Sequence, residues 1–319
     1  MGQRQVDLKS DPCVFVIILN WNRALDTLEC LDSFRESTYS NCQLVVVDNG
    51  SSDNSVERIR KEGGDLILLE TGENLGYTGG NNYGIKYAMD HGADYVFVLN
   101  NDTFIASDAI EKMIDVAEAD VRVGVATCKI LTHPQRNLLW FGGAKYDTRY
   151  MIARHVGYGQ EDSDLYNTEC DIPWATGCAL FMRRAAIEAA GLLFEGFFLT
   201  AEDLDLCLRI KDKGYRIVYV PAAVIWHKEA ISSGGHDAPQ YVYYQTRNLL
   251  LLHTRHARDL WQLIGSQIYA LLVFVKRVIN LMGSKKWRSI VGVLYGIRDG
   301  FLGVIGKKDY AVLTSDKKL

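Results

Sequence analysis

The sequence has no Cys-x-x-Cys pair, no apolar run approaching the thickness of a bilayer, and no repeated or low-complexity segment. Each absence removes a class of protein. Seven scattered cysteines build neither a zinc cage nor a disulfide framework. Most of them, such as Cys178 and Cys207, fall in apolar patterns and read as core thiols, which fits a cytosolic setting. The polar start, MGQRQVDLKSDP, gives no expectation of a secretory signal. The most apolar helical pattern, Leu260–Met282, is interrupted by Gln262, Ser266, Gln267, Lys276 and Arg277. Its longest clean run is Ile268–Val275, well short of the roughly 20 residues a span needs. A net charge of −4 gives no footing for nucleic acid as a partner.

What is present is a 319-residue chain with 48% hydrophobic content, enough for one large core and an appendage. The charge is unevenly spread. From His253 onward there are 12 Lys or Arg against 4 Asp or Glu, a surplus of +8, so the preceding residues carry a net −12. That asymmetry predicts an acidic catalytic body joined to a basic tail that meets something anionic.

The first 120 residues alternate between strand and helix patterns, with strands at Val14–Leu19, Leu44–Val47, Leu66–Leu69 and Val96–Leu99. Helices are expected at Leu25–Phe34, Ser55–Lys61, Gly80–His91 and Ala109–Ala119. This order implies an α/β fold with a parallel sheet covered on both faces. Beyond Val121 the pattern becomes irregular, with short strands near Val125–Ile130, Leu139–Phe141 and Ala179–Met182. A helix follows at Asp203–Lys213, then strands at Arg216–Val220 and Val224–Trp226. The last third reads as three helices, Tyr241–His253, Leu260–Met282 and Trp287–Val304. The expected division is a catalytic domain over 1–252, split near 120, and a basic helical extension over 253–319. Leu260–Met282 reads as an amphipathic helix lying on a membrane, with Lys285, Lys286, Arg288, Lys307 and Lys308 beside it. The alternative is a helical hairpin packed on the body or on another copy of the chain, which leaves a homo-oligomer open.

Chemistry concentrates at the strand ends, where an open α/β sheet places its ligands. The first strand ends in Asn20-Trp21-Asn22, the second in Asp48-Asn49-Gly50-Ser51-Ser52-Asp53 and the fourth in Asn100-Asn101-Asp102. A carboxylate beside amides in such a position can hold a divalent metal and, through it, a diphosphate. Asp48 is placed to accept hydrogen bonds from a nucleobase, while Ser52 or Asp53 caps a helix. After the third strand, Asn74–Asn82 is rich in glycine and asparagine, so Gly76, Gly79, Gly80 and Asn81 bring backbone close to a phosphate or sugar. It is neither a Walker loop nor a dinucleotide fingerprint. Ser232–His236 is a segment fit to close over a diphosphate.

Taken in order, Asn20-Trp21-Asn22, VVVDNGSSDNS, NLGYTGGNNYGI, VLNNDT, WATGCALFMRR and AEDLDLCLR resemble the family 2 glycosyltransferases of GT-A fold, over roughly Val14 to Tyr244. Within that family the chain is most similar to bacterial rhamnosyl- and galactofuranosyl-type enzymes of cell-wall and O-antigen assembly. The resemblance implies a Rossmann-like, mixed and mostly parallel sheet with a C-terminal helical extension. It also implies an inverting transfer from a dTDP- or UDP-sugar to a glycan or polyprenyl-diphosphate-linked acceptor. Asn20, Trp21, Asn22, Asp48 and Asn49 would line the donor pocket. Asn101 and Asp102 match the family's Asp-x-Asp motif, with Asp102 the ligand to Mg²⁺ or Mn²⁺ and Asn100 standing where many members carry the first Asp. His227 falls where members often place another metal ligand.

Glu202-Asp203 matches the acidic pair that holds the catalytic base, Asp203 aligning with the base itself; an inverting transfer needs one carboxylate to deprotonate the acceptor hydroxyl. Asp205 reads as helix face. Trp174, Thr176 and Gly177 are expected to shape the acceptor pocket, and Trp140 to stack on a sugar or fill the core. Arg247 offers charge to a diphosphate or is an ordinary helix residue. The expected location is cytoplasmic, peripheral on the inner face of the cell membrane. Two rival readings are a sugar-phosphate nucleotidyltransferase, which wants a basic glycine-rich loop after the first strand, and a non-catalytic scaffold of the same fold.

Overall fold

The computed structural model describes residues 11–228 and 235–314. Residues 232–234 of the segment expected to close over a diphosphate lie outside them. The chain opens with strands β1 (Val14–Asn20), β2 (Cys42–Asp48) and β3 (Ile67–Glu70), separated by helices α1 (Ala24–Ser33) and α2 (Ser55–Glu62). Helix α3 (Gly76–Asp90), strands β4 (Tyr95–Asn100) and β5 (Thr103–Ile105) and helix α4 (Ala109–Ala119) follow. The second half holds β6 (Val123–Thr132), β7 (Leu139–Phe141), β8 (Ala144–Asp147), β9 (Ile152–His155), β10 (Cys170–Asp171) and β11 (Ala179–Arg183). It continues with α5 (Arg184–Ala190), α6 (Glu202–Asp212) and β12 (Arg216–His227). Four helices close the described residues: α7 (Pro239–His256), α8 (Leu260–Gly283), α9 (Trp287–Phe301) and α10 (Ala311–Thr314).

One mixed sheet runs β10-β12-β6-β11-β4-β1-β2-β3, with β5 on β12 and β7 on β6. The strands β3, β2, β1 and β4 are parallel, as their continuous apolar runs require when helices cover both faces. Antiparallel β11 then joins β4 to β6. Val14–Ile18, Val45–Val47 and Val96–Leu99 are buried and form the main core with the inner faces of the covering helices.

Register sets the site. Leu19 lies beside Asn100 and Asn20 beside Asp48, so the polar ends of β1, β2 and β4 share one edge. On the other half, β12 runs antiparallel to β5 and places His227 opposite Thr103, next to Asp102. The two strands expected at 216–220 and 224–226 are one strand, bent where its register against β6 shifts between Val220 and Val224. Pro221 sits in that shift, where a missing N–H costs no ladder bond. Helix α3 begins at Gly76, four residues earlier than the pattern suggested.

The expected boundary at 252 falls inside α7, which is continuous to His256. The helical layer therefore starts at Pro239. Val242 and Leu250 of α7, Ala270, Phe274 and Leu281 of α8 and Val293 of α9 form a second core. Gly292, Gly296 and Gly300 let α9 lie against α7, since a Cβ at Gly292 would come within 2.5 Å of the Pro239 carbonyl oxygen.

Candidate active site

The strand ends open onto a cavity of about 490 Å³. Leu19, Trp21, Asn49, Gly76, Asn100, Asn101, Asp102 and His227 line it from the sheet edge, and Trp140 and Phe198 from the second half. Gln240, Tyr241 and Tyr244 of α7 complete it, with Lys307 and Asp309 from the segment after α9. The sequence reading missed those five. The 240/241/244 spacing, which puts three side chains on one helical face, was the available signal for the first three.

Asp102 and His227 meet in this wall. Asp102 Oδ1 lies 3.1 Å from His227 Nε2, both side chains being buried. Neither that oxygen nor His227 Nδ1 has a hydrogen-bond partner among the described residues. The indole of Trp140 packs its ring at 82° to the imidazole, centroids 4.7 Å apart, and fixes its plane. A buried carboxylate oxygen close to an imidazole nitrogen, without the alignment of a hydrogen bond, fits two ligands of one cation. Among the described residues no group of three His, Cys, Asp or Glu side chains is arranged to hold a metal ion. One carboxylate and one imidazole suit a divalent transition-metal cation such as Mn²⁺ better than Mg²⁺, with the remaining positions left to water and substrate oxygens.

Several donor-pocket expectations are corrected by the geometry. Asp48 is buried and faces its own turn: Oδ1 accepts from Ser51 N–H at 2.9 Å, and Oδ2 accepts from the Ser51 hydroxyl at 2.6 Å and Asn20 Nδ2 at 2.8 Å. With three of about four lone pairs in use, it braces the β1 and β2 ends rather than standing free for a base. Asn20 is fully buried and also accepts from the Thr27 hydroxyl at 2.8 Å. Asn22, at φ 55°, accepts from Ser52 N–H at 2.7 Å, which leaves half-exposed Trp21 as the member of that turn on the wall. Asn49 donates to the Gly76 carbonyl at 3.0 Å and accepts from Leu75 N–H at 3.0 Å, so it ties β2 to the start of α3.

Gly79, Gly80 and Asn81 do not line the cavity. A Cβ on Gly80 would fall 2.4 Å from the Leu19 side chain and one on Gly79 2.7 Å from Leu75, so these glycines serve helix packing. Asn81 donates to the Tyr77 carbonyl at 2.9 Å. Gly76 is different. Its φ is +74°, and a Cβ there would strike the Phe198 ring and carbonyl at 2.4 Å.

Glu202 and Asp203 open α6 behind Tyr77. Asp203 Oδ2 accepts from Gly177 N–H at 2.9 Å and Oδ1 from Leu204 N–H at 2.8 Å. The Tyr77 hydroxyl, on the cavity wall, donates to the Gly177 carbonyl at 2.6 Å. Burial raises the Asp203 carboxyl despite those backbone donors. Burial, and then the neighbouring Asp203, push Glu202 well above the usual carboxylate range. Its Oε2 is buried without a hydrogen-bond partner among the described residues. Burial and the charges of Glu202, Asp203 and Asp102 likewise raise Tyr77, which stands between the two acidic groups.

The acceptor-side expectations shift accordingly. Thr176 is buried, accepting from Cys178 N–H at 3.4 Å, and the Thr176-Gly177 turn supports Asp203 and Tyr77 from behind. Trp174 is core, its indole N–H bonded to the Lys145 carbonyl at 3.2 Å.

The segment that delivers the acidic pair is strained: Phe198, Thr200 and Ala201 all have φ between 66° and 71°. Helix α7 holds it in place. Asn248 Nδ2 donates to the carbonyls of Phe197 (3.0 Å), Leu199 (2.6 Å) and Thr200 (3.0 Å). Arg247, expected to reach a phosphate, is fully buried and donates to the carbonyls of Phe197 (2.8 Å), Gly196 (3.2 Å) and Gly306 (2.7 Å). It never reaches the cavity wall. Asp205, read as helix face, is also fully buried and receives Arg209 (2.9 Å), Arg255 (3.0 Å) and His256 (2.8 Å). Burial pushes its carboxyl up, but His256, Arg209 and Arg255 outweigh that and hold it at about 2.

The basic residues of the tail are largely committed to the chain. Lys286 pairs with Asp237 at 2.7 Å, Arg277 donates to the His236 carbonyl at 2.6 Å, and Arg288 donates to the Val312 carbonyl at 3.0 Å. What α8 presents outward is apolar. Trp261, Ile264, Ile268, Leu272, Val275, Ile279 and Met282 recur every three or four residues and are all exposed. By length and composition α8 is long and apolar enough to cross a membrane, which its short clean run did not suggest.

Known proteins similar to this chain identify its fold and family. The chain is 27% identical over 287 residues to N-acetylglucosaminyl-diphospho-decaprenol L-rhamnosyltransferase of Mycobacterium tuberculosis, covering 82% of this chain and 92% of that one. It is 22% identical to the low-salt glycan biosynthesis hexosyltransferase Agl10 of Haloferax volcanii, covering 84% and 85%. Among solved structures, a mannosyltransferase from Pyrobaculum calidifontis in complex with GDP-Man and Mn²⁺ superposes with a TM-score of 0.57 at 18% identity, covering 92% and 88%. The fold is therefore GT-A, the mixed sheet with flanking helices that the resemblance implied. The family model described as glycosyl transferase family 2 matches residues 15–190, more than half of the chain, which belongs to that family.

Proposed function

We propose that the chain is an inverting, metal-assisted glycosyltransferase. It moves rhamnose or a similar sugar from a dTDP- or UDP-sugar to a glycan or polyprenyl-diphosphate-linked acceptor, at the cytoplasmic face of the membrane. The observation that carries this reading is the buried Asp102–His227 pair with its unsatisfied atoms, on the wall of a cavity large enough for a nucleotide-sugar. The M. tuberculosis relative supports the choice of sugar and acceptor through its name. Asp102 and His227 would hold a divalent cation, which supplies positive charge to a departing diphosphate.

The rest is done by the chain. Trp21 offers a half-exposed ring to the donor, and Asn100 and Asn101 line the sheet edge beside it. Asp203 serves as base: its raised carboxyl binds the acceptor proton better than an ordinary aspartate, and Gly177 and Leu204 N–H groups fix its orientation. Tyr77 lines the cavity and donates to the Gly177 carbonyl, while the Gly177 N–H binds Asp203, so one turn joins the cavity wall to the acidic pair. The exposed stripe of α8 lies in the interfacial layer of the membrane. Its opposite face, with Ala270, Phe274 and Leu281, is buried against α7 and α9, which favours lying over spanning.

Thermal stabilisation by UDP, dTDP and GDP, each with and without Mn²⁺, tests the donor reading. A metal-dependent shift with dTDP favours rhamnose, one with UDP a hexose, galactofuranose or N-acetyl sugar. No shift with any of them would favour the non-catalytic scaffold. The Asp203→Asn variant should keep nucleotide binding and lose transfer by about 10²- to 10⁴-fold; turnover at the wild-type rate would remove Asp203 from the mechanism.

A further inference from the structure

The segment following α9, residues 302–310, returns to the catalytic body as a strap. Gly306 N–H donates to the Gly196 carbonyl at 2.7 Å, and its own carbonyl accepts from Arg247 at 2.7 Å. Lys308 N–H donates to the Tyr244 hydroxyl at 2.9 Å. The Tyr310 hydroxyl donates to Asp299 of α9 at 2.6 Å. The backbone is thus pinned on both sides of Lys307, whose side chain joins the wall that also carries Asp102 and His227.

Among the described residues Lys307 is the only lysine or arginine on that wall. Its carboxylate neighbour, Asp309, is 4.0 Å away and mostly exposed, a weak pair that leaves the ammonium free to exchange partners. A diphosphate entering this cavity brings at least two negative charges, which an ammonium on the wall can meet. Arg247, the other cation of this neighbourhood, has spent its donors on carbonyls and holds the strap instead.

We propose that Lys307 is a diphosphate-binding residue, delivered to the cavity by the strap and held there by Arg247 and Tyr244. The inference rests on the reading of the cavity as a glycosyltransferase site. The diphosphate belongs either to the nucleotide of the donor or to the lipid carrier of the acceptor; the chemistry of recognition is the same.

The test uses the full chain as wild type, Lys307→Gln, Lys307→Arg and the neighbouring-charge control Lys308→Gln. Melting curves establish that each is folded. Calorimetric titrations measure UDP and dTDP with Mn²⁺ in one arm, and farnesyl diphosphate in the other. Lys307→Gln is expected to weaken at least one arm by about 10- to 100-fold, the loss of one charged hydrogen bond. Lys307→Arg should retain most of the affinity and Lys308→Gln all of it. Weakening in the nucleotide arm assigns the donor diphosphate, and weakening in the prenyl arm the acceptor. Wild-type affinity of Lys307→Gln in both arms overturns the inference, as does an equal loss in Lys308→Gln. If the wild type itself binds neither nucleotide nor prenyl diphosphate, the glycosyltransferase reading falls and the inference with it.

Discussion

Replacing Arg247 by methionine separates two roles for a buried cation. Methionine fills most of the volume and keeps the helix but has no donors. Four acceptors lose Arg247. The Gly196 carbonyl still accepts from Gly306 N–H, and the Phe197 carbonyl from Asn248. The Gly306 carbonyl and Asn248 Oδ1 lose the donor that Arg247 gave them, with no other among the described residues. The buried Asn248 Oδ1 and the part-buried Gly306 carbonyl, left unmade, cost about 1–3 kcal/mol each, the second at the low end. Relief from burying a guanidinium, which also rests on the rings of Tyr243 and Tyr244 at 5.4 and 4.8 Å, offsets part of that. A net loss of about 2–4 kcal/mol follows, or roughly 3–6 °C in Tm for a chain of this size.

Scanning fluorimetry and a UDP–Mn²⁺ titration on the same samples supply the comparison. A structural Arg247 predicts a lowered Tm, with nucleotide affinity reduced less than turnover, because the strained 198–201 segment that delivers Asp203 loosens first. A phosphate-binding Arg247 predicts the reverse: an unchanged Tm and an affinity lower by one to two orders of magnitude. The second result would refute the clamp and restore the role that the sequence suggested.

The other expectations concern charge, metal and membrane. Glu202→Gln mimics the protonated form of a carboxyl whose folded pKa is raised, chiefly by burial. That raised pKa favours folding fully below the ordinary glutamate value and ceases to do so as pH rises through the folded pKa. The variant should therefore melt higher than wild type near pH 8 and converge with it near pH 4; a constant offset across that range would mean Glu202 is not held protonated by the fold. Asp102→Asn should abolish the Mn²⁺-dependent part of UDP binding while leaving the melting curve of the free protein nearly unchanged, read by fluorimetry with and without a chelator. Undiminished Mn²⁺ dependence would place the cation elsewhere. Ile268→Glu with Leu272→Glu alters two exposed positions on α8, so stability should stay within about 1 kcal/mol. Flotation with anionic liposomes should fall at least tenfold, since each residue buried in lipid is worth about 1.5–3 kcal/mol; full co-flotation would refute the interfacial helix.

Much of the sheet and its polar edge was legible because each parallel strand is an apolar run ending abruptly in Asn or Asp, a local signal. The direction of Asp48 was half legible. Ser51, three residues on, offers both an N–H and a hydroxyl, and such a neighbour competes with any ligand for the carboxylate. The glycines of the Asn74–Asn82 loop misled for a physical reason: Gly79 and Gly80 are small because Leu75 and Leu19 press on α3, and sequence does not distinguish packing from ligand approach. The approach of His227 to Asp102 depends on β12 pairing antiparallel with β5, 124 positions away in sequence, which no local pattern encodes. Arg247 and Lys307 show the same limit in opposite senses. The arginine read as either a phosphate ligand or an ordinary helix residue is buried among carbonyls, while a lysine read as a basic neighbour of the membrane helix stands in the cavity.

These placements change how the tail must be tested. A tail that is merely attached can be deleted, and membrane binding read from what remains. Here α7 crosses the expected boundary and performs three tasks along its length. Gln240, Tyr241 and Tyr244 line the cavity, Arg247 and Asn248 clamp the strained segment, and Arg255 and His256 reach Asp205. Truncation at 252 would strip the fully buried Asp205 of Arg255 and His256, leaving Arg209 as its side-chain partner among the described residues. Loss of part of a buried charge network typically costs several kcal/mol. The same cut removes Gly306 and Lys307, so a shortened enzyme would fail in stability and in its cavity before membrane affinity entered. Surface substitutions on the outer stripe of α8 touch none of those contacts, and only they can separate lipid docking from catalysis.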